Sequence, residues 1–238
     1  TMAVISLVLL LKKTPVSLKI SFTLHPEIPR LLNMVGNLFI RTIALNVALY
    51  LATSYATGYG KEYIAAYTIS INIWLLGAFM IDGYSSAGNI LSGKLLGAKE
   101  YKSLVILSNK LFKYGIVIGT IIAIFGFIFY DAIGRIFTNE AIVLEQFYTV
   151  FWIVLITQPI NALTFIFDGM FKGMGEMKYL RNLLIWATGL VFIPTLLIFD
   201  FLGFKLTAIW IAFACWIIAR GLPLVYKFRK KFIPLSED

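Results

Sequence analysis

The stretch LFKYGIVIGTIIAIFGFIFY, residues 111–130, decides what solvent this chain folds in. Its one charge is Lys113, close to the start, and everything after it is apolar, small or aromatic. A helix needs about 20 mainly apolar residues to cross a hydrocarbon core of roughly 30 Å, and this stretch has that length and composition. LRNLLIWATGLVFIPTLLIF at 180–199 repeats the pattern. Comparable stretches lie at 33–57, 63–92, 146–171 and 204–226. The fold class read from them is all-α: a polytopic transmembrane helix bundle with six full spans, held within residues 33–226. Composition leads to the same reading. The chain is 60% hydrophobic and 14% charged, with a mean hydropathy of +0.86, where soluble domains carry roughly a quarter charged residues. There is too little polar sequence to cover a soluble core.

Residues 1–11 are apolar up to Lys12, with no basic stretch ahead and no small-residue cleavage site. They read as the end of a preceding transmembrane helix, not as a signal peptide. This start predicts a piece of a longer protein. Residues 12–32, interrupted by Pro15, Pro26 and Pro29, read as a linker between two units, and 227–238 as a polar tail.

The charges orient the spans. One set of loops carries Lys12, Lys13, Lys19 and Arg30, then Lys94, Lys99, Lys102, Lys110 and Lys113, then Lys172, Lys178 and Arg181. The end of the chain adds Arg220, Lys227, Arg229, Lys230 and Lys231. The alternate loops hold Lys61, Arg135 and Lys205, so the division is 17 against 3. Cytoplasmic loops carry the excess of Lys and Arg, which predicts that the linker and the C-terminus both face the cytoplasm and that the span number is even. Topology accounts for these basic loops, so the net charge of +9 does not call for a nucleic-acid partner; anionic lipid headgroups are the expected neighbours of the tail. The single Cys215 and single His25 exclude a disulfide framework or a Cys/His metal site within one chain. No nucleophile motif is present, and the expectation is neither an enzyme nor a metal or cofactor binder.

An ionisable residue at the bilayer centre costs about 2.5–3.5 kcal/mol on insertion scales, so each one asks for a reason. Arg41 lies eight residues into the first span, roughly 12 Å deep at 1.5 Å per residue. Asp82 lies ten residues before the end of the next, antiparallel span, roughly 15 Å deep. The two are predicted to face each other or share a polar cavity. The alternative is that Arg41 snorkels while Asp82 is a neutral packing residue. Asp168, near the end of the fourth span, reads either as an interfacial carboxylate or as a functional one. Before it, Gln158 and Asn161 flank Pro159, which removes a backbone hydrogen bond and predicts a helix kink; Pro194 predicts another in the fifth span. Asn46 and Asn72 are further intramembrane amides, read first as interhelical glue and second as pathway residues. Gly93 and Gly97, Gly115 and Gly119, and Gly169 and Gly173 show the spacing that lets helices approach closely.

Arg41-Thr42 opening one span, Asp82-Gly83 late in the next, and Gly93-Lys94-Leu95-Leu96-Gly97-Ala98 at its exit resemble the second half of the multidrug and toxic compound extrusion (MATE) family, in its DinF-like branch. Gln158-Pro159-Ile160-Asn161-Ala162-Leu163, followed by Asp168-Gly169 and Gly173-Met174-Gly175, resembles that family's tenth helix and the loop after it. The resemblance covers about residues 30–226, and the order and spacing of these short motifs carry it.

What the resemblance implies is a twelve-helix transporter of two six-helix lobes. Residues 1–11 would end helix six, 12–32 would be the cytoplasmic interlobe linker, and 33–226 would be helices seven to twelve. Such a protein exports small amphipathic, mostly cationic compounds by alternating access in exchange for protons or sodium; a bacterial inner or plasma membrane is the implied location. The N-terminal lobe, the implied partner, carries an aspartate in the first helix for which this chain has no counterpart. The seventh helix of sodium-coupled relatives has an acidic residue where this chain offers only Arg41. Proton coupling is therefore the expectation over sodium. On this reading Asp82 is the proton-responsive carboxylate, Arg41 its counter-charge, and Gln158 and Asn161 line the cavity. A lipid-linked substrate flippase of related fold and a non-transporting membrane scaffold are the alternatives.

Overall fold

The computed structural model describes residues 27–237. The predicted end of a preceding helix, most of the predicted linker and His25 lie outside the described residues. The described residues divide after Asn33 into two compact units. Of the first, the described part is the opening turn of a helix, with Glu27 and Arg30 3.6 Å apart.

The described residues are helical, with short connections. Helix α1 runs over Ile28–Tyr59, α2 over Lys61–Gly97, α3 over Tyr101–Ile128 and the short α4 over Tyr130–Phe137. Then follow α5 (Ala141–Ile156), α6 (Gln158–Gly173), α7 (Met177–Trp186), a π-helical stretch over Ala187–Phe192, α8 (Ile193–Phe201) and α9 (Leu206–Glu237). Five helices are long and apolar enough to cross a membrane, counting α7 through α8 as one. Helices α5 and α6 meet at 51°, and as a single broken span they make a sixth. The helices outrun the expected spans at most ends. In particular α9 continues through the residues read as a tail.

Both proline expectations correspond to local irregularities. Pro159 cannot donate to the Leu155 carbonyl, and the chain breaks two residues earlier, at Thr157. There the Thr157 hydroxyl turns back on its own helix, donating towards the carbonyls of Ile153 and Val154, both at 3.0 Å. Pro194 likewise cannot bond the Leu190 carbonyl. The helix widens into the π-helical turn just before it, where bonds skip to the fifth residue.

Helix α6 is the centre of the bundle, packed against α2, α3 and α9. Small residues permit this. A Cβ on Gly119 of α3 would stand 2.6 Å from the Pro159 Cα, and one on Gly93 of α2 would stand 2.7 Å from the Gly173 carbonyl oxygen. Gly169 and Gly173 turn the same close approach towards Ser85 and Asn89 of α2. Gly97, paired with Gly93 by spacing, faces open space. One core cluster is aromatic, with Phe147, Phe151, Phe192, Trp210 and Trp216 almost fully buried, and a second includes Phe167 and Phe171 of α6 with Phe228 and Phe232 of α9. Helix α1 meets the bundle along a narrow stripe of Asn37, Arg41, Ala48, Ala52 and Ala56. Its last turn is held by a hydrogen bond from the Tyr59 hydroxyl to Asp200.

Candidate functional site

Two neighbouring polar centres lie within the bundle. The first is built on Asp168, five residues from the end of α6 yet 4% exposed. Nη2 of Arg41 donates to both of its carboxylate oxygens at 2.7 Å. Lys172, one turn along α6, reaches Oδ2 at 2.8 Å, and Nη2 of Arg220 lies 3.8 Å from Oδ1. Three cations therefore converge on one carboxylate. Burying a charge is tolerable only where others compensate it; here the excess is positive. Arg41 Nε and both Nη atoms of Arg220 have no hydrogen-bond partner among the described residues. The Arg220 guanidinium instead stacks on Trp216, 4.5 Å from the ring centroid. Trp216 is oriented by its own hydrogen bond to the Thr188 hydroxyl, 3.0 Å.

The second centre is a cavity of about 270 Å³ between α1, α2, α6 and α9. Trp74, Phe79, Phe165 and Trp216 line it together with Asp82 and Arg220, and leucines of α1 and α2 complete the wall. Asp82 is exposed and forms no ion pair among the described residues. Arg220 belongs to both centres, since it approaches Asp168 on one side and lines the cavity on the other.

This corrects the expected pairing. Arg41 bonds Asp168, and the cation that shares a cavity with Asp82 is Arg220. Depth arithmetic along two helices places Arg41 and Asp82 at similar levels but says nothing about rotation about each axis, and rotation chose the partner. Asp168 itself is buried in the bundle and ion-paired. Arg220 was counted with the basic tail. Its signal was legible, since it interrupts the apolar run of the last span, as was the four-residue spacing of Asp168 and Lys172.

Gln158 and Asn161 are each 1% exposed, beside the break between α5 and α6, and all four amide heteroatoms lack a partner among the described residues. Neither lines the Asp82 cavity. Asn46 and Asn72 differ from the expectation of interhelical glue. Each is exposed and turns its amide back on its own helix, to the Thr42 carbonyl at 2.9 Å and the Thr68 carbonyl at 2.7 Å. The carbonyl four residues back is on the same helix face and within easy reach, which outcompetes a neighbouring helix.

The family model described as MatE matches residues 38–198. The chain belongs to the MatE family. Relatives include the chloroplastic Protein DETOXIFICATION 45 of Arabidopsis thaliana, 26% identical over 97% of this chain and 40% of that protein. DNA damage-inducible protein F of Escherichia coli (strain K12) is 22% identical over 84% of this chain and 43% of that protein. An outward-facing multidrug resistance MATE family transporter of the MOP superfamily superposes with a TM-score of 0.84 at 20% identity, covering all of this chain and 55% of that one. An inward-facing MATE structure superposes at 0.77 and 18% identity, over 91% of this chain and 50% of that one. The chain thus spans about half the length of the solved MATE transporters and less than half of these two relatives. The fold match to MATE structures agrees with the expected six-span bundle, and the DinF-like branch is represented among the relatives.

Proposed function

We propose that this chain forms the C-terminal lobe of a multidrug efflux antiporter that works by alternating access, with proton favoured over sodium as the coupling ion. The observation that carries the reading is the aromatic cavity holding Asp82 and Arg220 in a chain of a transporter family. An amphipathic cation would lay its apolar body against Trp74, Phe79 and Phe165 and its charge on ionised Asp82. Protonation of Asp82 would release it. The cavity is completed by an N-terminal six-helix lobe, the two rocking about a midplane site. The linker and the C-terminus face the cytoplasm of a bacterial inner or plasma membrane, in keeping with the loop charges. Sodium is disfavoured because the one charge within the apolar part of α1 is Arg41.

Substituting Asp82→Asn tests the reading in cells lacking other efflux pumps. Dye retention should rise towards that of cells without the protein, with membrane insertion unchanged. Export at the original rate would overturn the assignment of Asp82. A second reading, a flippase for lipid-linked anionic substrates, is favoured by the Arg220 guanidinium in the cavity wall, whose Nη atoms have no hydrogen-bond partner among the described residues. It predicts that Arg220→Gln abolishes transport while Asp82→Asn does not.

A further inference from the structure

Helices α3, α6 and α9 enclose a second groove of about 220 Å³, separate from the Asp82 cavity. On α9 its wall is Gly221, Leu222, Val225 and Arg229, a stripe at helical spacing that extends about 12 Å along the axis. Opposite stand Leu163 and Thr164 of α6, and the Thr164 hydroxyl is already satisfied by the Ile160 carbonyl at 2.9 Å. Gly221 opens the floor, since any side chain there would collide with Thr164. The groove is therefore apolar along its length and cationic at one end.

That end is unusually free of counter-charge. The Arg229 guanidinium lies 5.5 Å from the centroid of the Phe112 ring and has no carboxylate partner among the described residues. Lys110 and Lys113, within one turn of Phe112, are exposed and also unpaired among them. The nearby acidic residue, Glu176, is occupied by Lys227 and Lys231. Leu222 and Tyr226, on the rim of α9, are about two-thirds exposed, as expected of a face in contact with lipid. The volume falls below the roughly 300–1,000 Å³ of sites that enclose a drug-sized molecule. It suits a segment of hydrocarbon chain.

We infer that the α3–α6–α9 groove binds one acyl chain of an anionic phospholipid, whose headgroup phosphate sits on Arg229. Basic pockets between membrane helices recognise such headgroups, and each cation near the surface contributes enough to favour an anionic lipid several-fold.

The test is native mass spectrometry of the purified protein with phosphatidylglycerol or phosphatidylcholine of identical acyl chains. The parent protein should retain the anionic lipid about fivefold over the zwitterionic one. Arg229→Gln should erase that preference while both lipids still bind. Val225→Trp, which fills the groove, should lower retention of both, and an unchanged melting temperature would show that the bundle is intact. Equal retention of the two lipids by the parent protein overturns the inference. So does a preference that survives Arg229→Gln and disappears only in Lys110→Gln/Lys113→Gln, since attraction would then be spread over the basic face and not seated in the groove.

Discussion

Arg41 and Asp168, 127 residues apart in sequence, share a buried ion pair in which one guanidinium nitrogen stands 2.7 Å from both carboxylate oxygens. The pair ties α1, whose buried stripe is otherwise Asn37 and three alanines, to the central helix α6. Removing the carboxylate would leave Arg41 and Arg220 buried without their counter-charge, the situation that costs about 3–5 kcal/mol when one partner of a buried pair is lost. Asp168→Asn should therefore lower the unfolding free energy in detergent by about that amount. Lys172→Met should cost under about 1 kcal/mol, because Lys172 is about a third exposed and its ammonium is partly solvated. Chemical denaturation of the two variants followed by circular dichroism checks the ordering, and equal losses would contradict it.

The glycine contacts give a paired prediction with identical chemistry. A methyl group at Gly173 would overlap the Asn89 carbonyl, whereas at Gly97 it would meet nothing. Backbone cannot move aside as a flexible side chain can, so Gly173→Ala should destabilise by about 1–3 kcal/mol through overpacking. Gly97→Ala should be neutral or stabilising by up to about 1 kcal/mol, since alanine loses less backbone freedom in a helix. Thermal unfolding of the two variants side by side decides it.

These glycines also show where sequence reading stops. Small residues four apart at 93/97, 115/119 and 169/173 were visible as close-packing signals, and α2, α3 and α6 do meet there. Which member of a pair touches a neighbour depends on helix rotation and end position, and Gly97 lies at the last residue of α2. The same gap explains the misassigned partner of Arg41. Hydropathy and charge alternation report along the membrane normal, and Pro159 and Pro194 report on backbone continuity. None of them reports azimuth, which is what joins Arg41 to Asp168 and Asp82 to Arg220. Arg220 itself was legible as an intramembrane charge, but counting it with the basic tail concealed it.

At the basic end, Glu176 in the turn between α6 and α7 accepts from Lys231 at 2.8 Å and from Lys227 at 3.1 Å. The Lys231 hydrogen bond, with the Lys227 contact, outweighs partial burial and holds the Glu176 carboxyl below the ordinary glutamate range. A depressed folded-state pKa means that the stabilisation is present above the unfolded pKa and disappears as pH falls through the folded one. The link from α9 to the α6–α7 turn should therefore be intact at neutral pH and released in acid. Hydrogen exchange in residues 174–180 should accelerate as pH drops below the ordinary glutamate range, after correction for the intrinsic pH dependence of exchange. In Glu176→Gln the corrected rate should be fast already at pH 7 and flat with pH; a retained acid step would assign the effect to another group.

The amides at the helix break separate stability from function. Gln158 and Asn161 bury two carbonyl oxygens and two amino groups with no partner among the described residues, and each such group carries an unrecovered desolvation cost of about 1–3 kcal/mol. Replacing them with apolar side chains of similar shape should therefore leave the lobe as stable or more so. If the amides meet a cargo, a proton or water at some stage of transport, the same replacements should impair export. Gln158→Met and Asn161→Leu are predicted to raise the unfolding free energy by about 0–2 kcal/mol while lowering dye export. The two readouts move together only if the amides serve packing: a loss of stability matching the loss of export would place their partners inside the fold. Stability preserved with export lost would mean that the bend between α5 and α6 keeps polar groups unpaired for use, at a cost that the surrounding aromatic core is large enough to absorb.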